Sequence, residues 1–183
     1  MNINRRNFLL GMGAILASGL LPDLALANKI AIMPYKDFPA LSFYNIHTNE
    51  KLSVKYRDKN QYIASAMTEI KDFFRDHRNG EEKDIDPLLI DRIFGLNQYF
   101  GGNNVIELIS GYRSPASNAS LNKKSKSVAK NSYHLKGMAA DIFLPEKHLA
   151  ELYQVAKLQN SGGSGIYVRS NFVHVDTGPV RSW

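Results

Sequence analysis

In the segment Phe172-Val173-His174-Val175-Asp176, strand periodicity sends His174 and Asp176 to one face and Val173 and Val175 to the other. A polar pair whose reverse side is apolar marks a place where imidazole and carboxylate meet over a core. Met138-Ala139-Ala140-Asp141-Ile142-Phe143-Leu144 holds a carboxylate amid apolar neighbours on both faces. Burying that charge is costly unless a cation or several donors compensate it. His134 stands seven residues earlier, in Ser132-Tyr133-His134-Leu135-Lys136-Gly137, where Gly137 lets the chain turn into the strand. Two imidazoles and one carboxylate suffice for a catalytic zinc site, which takes three protein ligands and leaves a fourth position to water. Spacing alone leaves a second reading open. In it His134 faces a helix, Asp141 pairs with a lysine and His174 is simply packed.

The combined motifs decide between them. Ser132-x-His134-x-x-Gly137-x-Ala139-x-Asp141, followed by Phe172-Val173-His174-Val175-Asp176-Thr177-Gly178, resembles the signature of the LAS metallopeptidases. That group comprises D-Ala-D-Ala carboxypeptidases and dipeptidases, with murein endopeptidases alongside. The resemblance is strongest to the exported murein endopeptidases of Gram-negative bacteria. It takes in Phe73-Phe74-Arg75-Asp76, Leu108-Ile109-Ser110-Gly111-Tyr112-Arg113-Ser114, Val128-Ala129-Lys130 and the terminal Gly178-Pro179-Val180-Arg181-Ser182-Trp183.

The resemblance implies one Zn2+ per chain on His134, Asp141 and His174. It makes Arg113 the partner of the substrate carbonyl or oxyanion, and a substrate-binding as well as catalytic residue. Ser132 and Tyr133 either bind substrate or fix His134. Several relatives carry a glutamate or histidine near the attacking water, where this chain has Asn171 and Phe172. Asp176 is the nearest acidic substitute, either as general base or as the group that holds His174 through its second ring nitrogen. The implied substrate is the stem peptide of peptidoglycan, cut at a cross-link between D-Ala and diaminopimelate or between two diaminopimelates. A D-Ala-D-Ala carboxypeptidase and a non-catalytic peptidoglycan-binding module are the alternatives.

These residues need elements to position them. Leu41–Ile46 and Lys51–Arg57 read as strands joined by a polar turn. Ile63, Met67, Ile70, Phe73 and Phe74 recur at helical spacing, which predicts a helix over Gln61–Arg78. Asp86 followed by Pro87 predicts a capped helix start, with Leu89, Ile90, Ile93, Leu96 and Phe100 on its buried face. Val105–Ile109 is a short strand, and the lysine-rich Ser120–Ala129 a short helix and surface loop. Met138–Leu144 is a strand and Lys147–Lys157 a helix. Ser161–Gly165 reads as a glycine-rich loop, and Ile166–Val168 with Phe172–Val175 as a hairpin. Frequent hairpins without strict alternation of strand and helix indicate an α+β single domain: a largely antiparallel central sheet flanked by helices, with a zinc cleft on the sheet.

Arg5-Arg6 precedes an apolar run from Phe8 to Leu21 and then Ala25-Leu26-Ala27, a small-x-small cleavage site. Residues 1–27 are therefore expected to be a twin-arginine-type export signal, and 28–183 the zinc peptidase domain in the periplasm. The run falls short of the roughly 18 residues a spanning helix needs, so no stable membrane span is expected after signal removal. The chain carries 23 Lys and Arg against 17 Asp and Glu, for a formal charge of +6. Export and the lack of basic-aromatic clusters argue against nucleic acid as partner; the positive charge suits anionic envelope polymers and equally a merely solubilising surface. With no cysteine, disulfides, thiolate metal sites and cysteine nucleophiles are excluded. Ser110-Gly111 and Ser164-Gly165 lack the Gly-x-Ser-x-Gly elbow of serine hydrolases. Fe(II) would also suit the ligand set, but no co-substrate site for oxygen chemistry is visible.

Overall fold

Apolar alternation in Leu41-Ser42-Phe43-Tyr44-Asn45 buries every other side chain and makes the first strand, β1 (Leu41–Asn45). The computed structural model describes residues 40–125 and 128–183. The expected export signal lies outside them. β2 (Lys51–Val54) returns antiparallel to β1 after a turn in which Asn45 accepts from the amides of His47 and Thr48. The chain then leaves the sheet. Tyr56 turns into the core, and β3 (Arg57–Asp58) pairs with β4 (Gln61–Tyr62) in a separate ribbon.

That ribbon corrects two expectations. The strand predicted over Lys51–Arg57 is split, and the helix predicted from Gln61 begins only at Ala64. α1 (Ala64–Phe73) also ends early. The amide of Asp76 donates to Glu81 O, so the chain turns back on itself before Arg78.

α2 (Pro87–Tyr99) starts where the sequence places it: Asp86 accepts from the Leu88 amide and Pro87 occupies the first turn. β5 (Val105–Ser110) runs parallel to β1. α3 (Pro115–Lys124) begins five residues before the expected Ser120, because Ser114 accepts from the Ser117 amide with Pro115 just behind it. A short 3-10 turn, Tyr133–Lys136, leads through Gly137 into β6 (Ala139–Phe143). Gly137 has φ +69°, and an added Cβ would lie 2.2 Å from the Asp84 carbonyl oxygen, so the turn requires glycine. α4 (Leu149–Leu158), β7 (Gly163–Tyr167), β8 (Phe172–Asp176) and β9 (Arg181–Ser182) complete the chain.

The main sheet has the order β2-β1-β5-β6-β8-β7-β9, with β1–β5 and β7–β9 parallel and the other pairs antiparallel. This is the α+β class with a largely antiparallel sheet. The glycine-rich segment is strand rather than loop from Gly163 onward. A Cβ at Gly165 would meet the Trp183 ring at 2.4 Å, so the bare backbone there is what lets the C-terminus pack over the strand. Ala140, Ile142, Val173 and Val175 join Leu89, Ile93, Leu96, Leu152 and Val155 in the core, so helices α2 and α4 cover one face of the sheet. The opposite face of β6 and β8 carries Asp141, His174 and Asp176.

Arg92 fastens these layers together. From α2 it donates to the carbonyls of Ala156 and Gly163 at 3.0 and 2.9 Å, to Ser164 Oγ at 2.7 Å, to Gln159 Oε1 at 3.2 Å, and to the Asp176 carbonyl. Burial lowers its pKa to about 10, which leaves it charged at neutral pH. Replacing it with leucine strands several buried acceptors at once. Arg92→Leu is expected to lower the unfolding free energy by about 3 kcal/mol or more, measured by urea denaturation.

Candidate metal centre

Strand register does most of the assembly. Asp141 on β6 lies directly opposite His174 on β8, Ser110 on β5 opposite Asp141, and Gly165 on β7 opposite His174. One row across four strands thus reads Ser110, Asp141, His174, Gly165. A bulge between Leu108 and Ser110 places two residues of β5 against one of β6, which turns Ser110 toward the row while Leu108 stays in the core. The 3-10 turn before β6 brings His134 over the same row.

The three ligand candidates meet with their acceptor atoms facing inward. His134 Nε2 is 3.3 Å from Asp141 Oδ1 and 3.2 Å from His174 Nδ1, and His174 Nδ1 is 2.9 Å from Asp141 Oδ1. Bonds of about 2.0–2.1 Å to a tetrahedral ion imply ligand separations of roughly 3.3 Å, close to these values. All three residues are buried.

The tautomers are fixed from behind. His134 Nδ1 donates to the Gly111 carbonyl at 2.7 Å, and His174 Nε2 donates to Asp176 Oδ2 at 2.8 Å. Each ring therefore turns a lone pair toward Asp141. A single proton on His174 would satisfy Asp141 but leave His134 Nε2 facing a carboxylate oxygen. A divalent cation satisfies all three atoms together, so the residues present fit a metal ion of the zinc type.

Titration follows the same geometry. Burial pushes His134 down, with Asp141 opposing it incompletely. For His174 burial is outweighed by hydrogen bonds to Asp141 and Asp176, so it is raised. Burial would also raise Asp141, but the two imidazoles hold it well below the carboxylate range.

Asp176 is fully buried and surrounded by donors. Besides His174, it accepts from the amides of Gly163 and Gly178 at 3.1 and 2.8 Å. The Arg181 guanidinium adds bonds of 3.0 and 2.6 Å, one to each carboxylate oxygen. Burial alone would raise its pKa, but His174, Arg181 and Gly178 hold it well below its usual range. It contacts the nitrogen of His174 that points away from Asp141. The guanidinium of Arg181 lies between the rings of Tyr133 and Trp183, 5.0 Å from each centroid.

The cleft above these residues has a volume of about 640 Å³. Arg113, Ser132 and Tyr133 all line it, as the sequence leads one to expect. Ser132 caps the 3-10 turn, its Oγ accepting from the His134 amide at 3.4 Å. Arg113 is buried but loosely held. Its Nη atoms reach Asn118 Oδ1, Ser110 Oγ and Asp141 Oδ2 only at 3.5 Å, and its Nε has no hydrogen-bond partner among the described residues.

Residues 35–183 match the family described as peptidoglycan L,D-endopeptidase MepK, Peptidase_M15_2. The chain belongs to this family. It is 39% identical to the peptidoglycan L,D-endopeptidase MepK of Escherichia coli strain K12 over 180 residues, 98% of this chain and 97% of that protein. The probable MepK of Haemophilus influenzae is 36% identical over 181 residues, covering 98% and 95% of the two chains. The kinship with murein endopeptidases read from the motifs therefore holds along nearly the whole length.

Within this family framework, the sequence reading missed Arg181, Trp183 and the Gly111 carbonyl as parts of the site. Arg181 follows Asp176 by five residues, but β9 pairing back on β7 had no periodic signal to announce it. Asp176→Ala is expected to weaken metal binding about 10–100-fold, and Arg181→Ala to weaken it less. Competition with a chromophoric chelator measures both. Affinity should also fall as pH drops, because protons compete for the imidazole nitrogens.

Proposed function

We propose that this chain is an exported, zinc-dependent endopeptidase that hydrolyses peptide cross-links of peptidoglycan. One observation carries the reading: two imidazole lone pairs and a carboxylate oxygen converge within 2.9–3.3 Å at the floor of a cleft, in a chain belonging to a peptidase family. The relatives covering 98% of the chain are named peptidoglycan L,D-endopeptidases. Export is supported by Arg5-Arg6 and the apolar run behind them, which points to the twin-arginine route and the periplasm.

His134, Asp141 and His174 would hold one zinc ion. A zinc ion in such a site supplies Lewis acidity, lowering the pKa of water to about 7 and polarising a carbonyl. The protein's own groups do the rest. Gly111 and Asp176 keep both imidazoles in the neutral tautomer that offers a lone pair. Arg113 directs donors toward the cleft that no protein acceptor uses well, and an oxyanion developing on the scissile carbonyl would take them up. Such a donor is worth about 3–4 kcal/mol in the transition state.

Asp176 is assigned here as the positioning group of His174 rather than the general base, because its oxygens are already committed to His174, Arg181 and two backbone amides. Asparagine can still accept from His174 Nε2. Asp176→Asn is therefore expected to retain turnover within about tenfold once metal is saturating. A drop of 100-fold or more at saturating metal would restore the base role.

The direct test digests intact, cross-linked peptidoglycan with purified protein, with and without chelator. The expected result is metal-dependent conversion of cross-linked dimers to monomers, with Arg113→Ala slowing it about 100-fold or more. Shortened stems without loss of dimers would indicate a carboxypeptidase. Binding without any cleavage would indicate a non-catalytic module.

A further inference from the structure

The two walls of the cleft differ in chemistry. On one side Tyr167 and Phe172 stack at 4.6 Å, and Trp183 donates to the Tyr167 hydroxyl at 3.1 Å. On the other side stand His47 and Arg78. His47 stacks on His77 at 4.0 Å with ring planes 19° apart, which stiffens the turn that carries Arg78. Burial, with Arg78 and His47 adding to it, pushes His77 down to about 4, so it is neutral at physiological pH.

Three arginines line this cleft, and two already have roles in the proposed chemistry. Arg181 is doubly bonded to Asp176, and Arg113 sits against Asp141 beside the metal ligands. Arg78 is different. Its Nη1 makes one long contact, 3.4 Å to Asp76 Oδ1, and its side chain is 33% exposed. Asp76 itself is fully buried and shares its oxygens among several donors, accepting from the amides of Ser114 at 2.9 Å and Arg78 at 3.1 Å and interacting with the Ser117 side chain. Nε and Nη2 of Arg78 have no partner among the described residues. The same bonds tie the Arg78 turn and the residue after Arg113 to one carboxylate, so the backbone segments that carry the two arginines keep a fixed relation. Asp141 is the one carboxylate among the described lining residues, and it faces the imidazoles. An anion in the cleft therefore meets an underused fork of donors at Arg78, whose one long ion pair, to Asp76, engages Nη1 alone.

The proposed substrates carry such an anion. Each amine-bearing carbon of diaminopimelate also bears a carboxylate. A cross-link whose amide nitrogen comes from diaminopimelate thus places a negative charge one carbon from the scissile bond.

Building on the endopeptidase reading, we propose that Arg78 forms a carboxylate subsite that recognises this flanking group, seating the amine side of the cross-link against the His47–Arg78 wall. The opposite, aromatic wall then receives the less charged side. Arg78 is a specificity residue in this assignment.

The test compares two matched cross-linked peptide dimers, one with the flanking carboxylate free and one with it amidated. The wild-type protein is expected to favour the free acid in kcat/KM by about 10–100-fold. Arg78→Ala should collapse that ratio toward one, and Arg78→Lys should retain part of it. A ratio unchanged in Arg78→Ala, or equal loss on both dimers, overturns the subsite. Calorimetric binding of both dimers to wild type and Arg78→Ala keeps the two proposals separable. If the wild type cleaves neither dimer but binds the acid more tightly in an Arg78-dependent way, the subsite stands and the endopeptidase reading falls. If neither cleavage nor binding distinguishes acid from amide, the subsite is wrong whatever the activity.

Discussion

Two imidazole nitrogens and a carboxylate oxygen on buried side chains lie within 2.9–3.3 Å of one another, and with their lone pairs facing inward they repel unless a proton or a metal cation lies among them. This constraint organises the rest of the molecule. Each of the three side chains has a support of the right polarity on its far side. The Gly111 carbonyl takes the distal proton of His134, Asp176 takes that of His174, and Arg113 approaches the second oxygen of Asp141. Removing any support frees a ring or carboxylate to rotate, and the set loses its common focus.

The supports reach deep into the fold. Asp176 is bound through its side chain by Arg181 and through its carbonyl by Arg92, which in turn fastens α2 to α4 and β7. The group that orients the His174 ring is thus also a joint between the helical layer and the sheet. Bulged β5 performs a similar double service. Its Leu108 stays in the core, its Ser110 joins the row of site residues, and the chain beyond it delivers both the Gly111 carbonyl and Arg113. A site built on strand register gains precision that loops alone would not supply, because a one-residue slip would carry Asp141 or His174 to the core face.

The C-terminus has an unexpected part in this. β9 pairs with β7 in parallel, and its flanking Trp183 lies 5.3 Å from the His174 ring while Arg181 reaches under it to Asp176. Residues 181–183 therefore wall one side of the candidate metal site. The cleft is left with aromatic rings along one edge and a guanidinium beside a stacked imidazole pair on the other, a polarity that gives an elongated, unevenly charged substrate one way to lie.

The sequence by itself determined the helix starting at Pro87, the α+β class and the family, and it singled out His134, Asp141 and His174, which the fold brings together. Each of these is local or periodic: alternation in Phe172–Asp176 exposes His174 and Asp176 together, Asp86-Pro87 is a self-contained start signal, and His134 and Asp141 sit in one continuous motif. It did not distinguish a base from a positioning group at Asp176, because that depends on which ring nitrogen of His174 faces Asp141 and on what else reaches the carboxylate. It misread Ser161–Gly165 as a loop throughout, since glycine content speaks for backbone freedom and not for the Trp183 ring that needs the space above Gly165. It gave Arg78, Arg92 and Arg181 no distinct roles. An arginine's task is set by the acceptors it meets, and those arrive from segments dozens of residues away that only the folded sheet brings together.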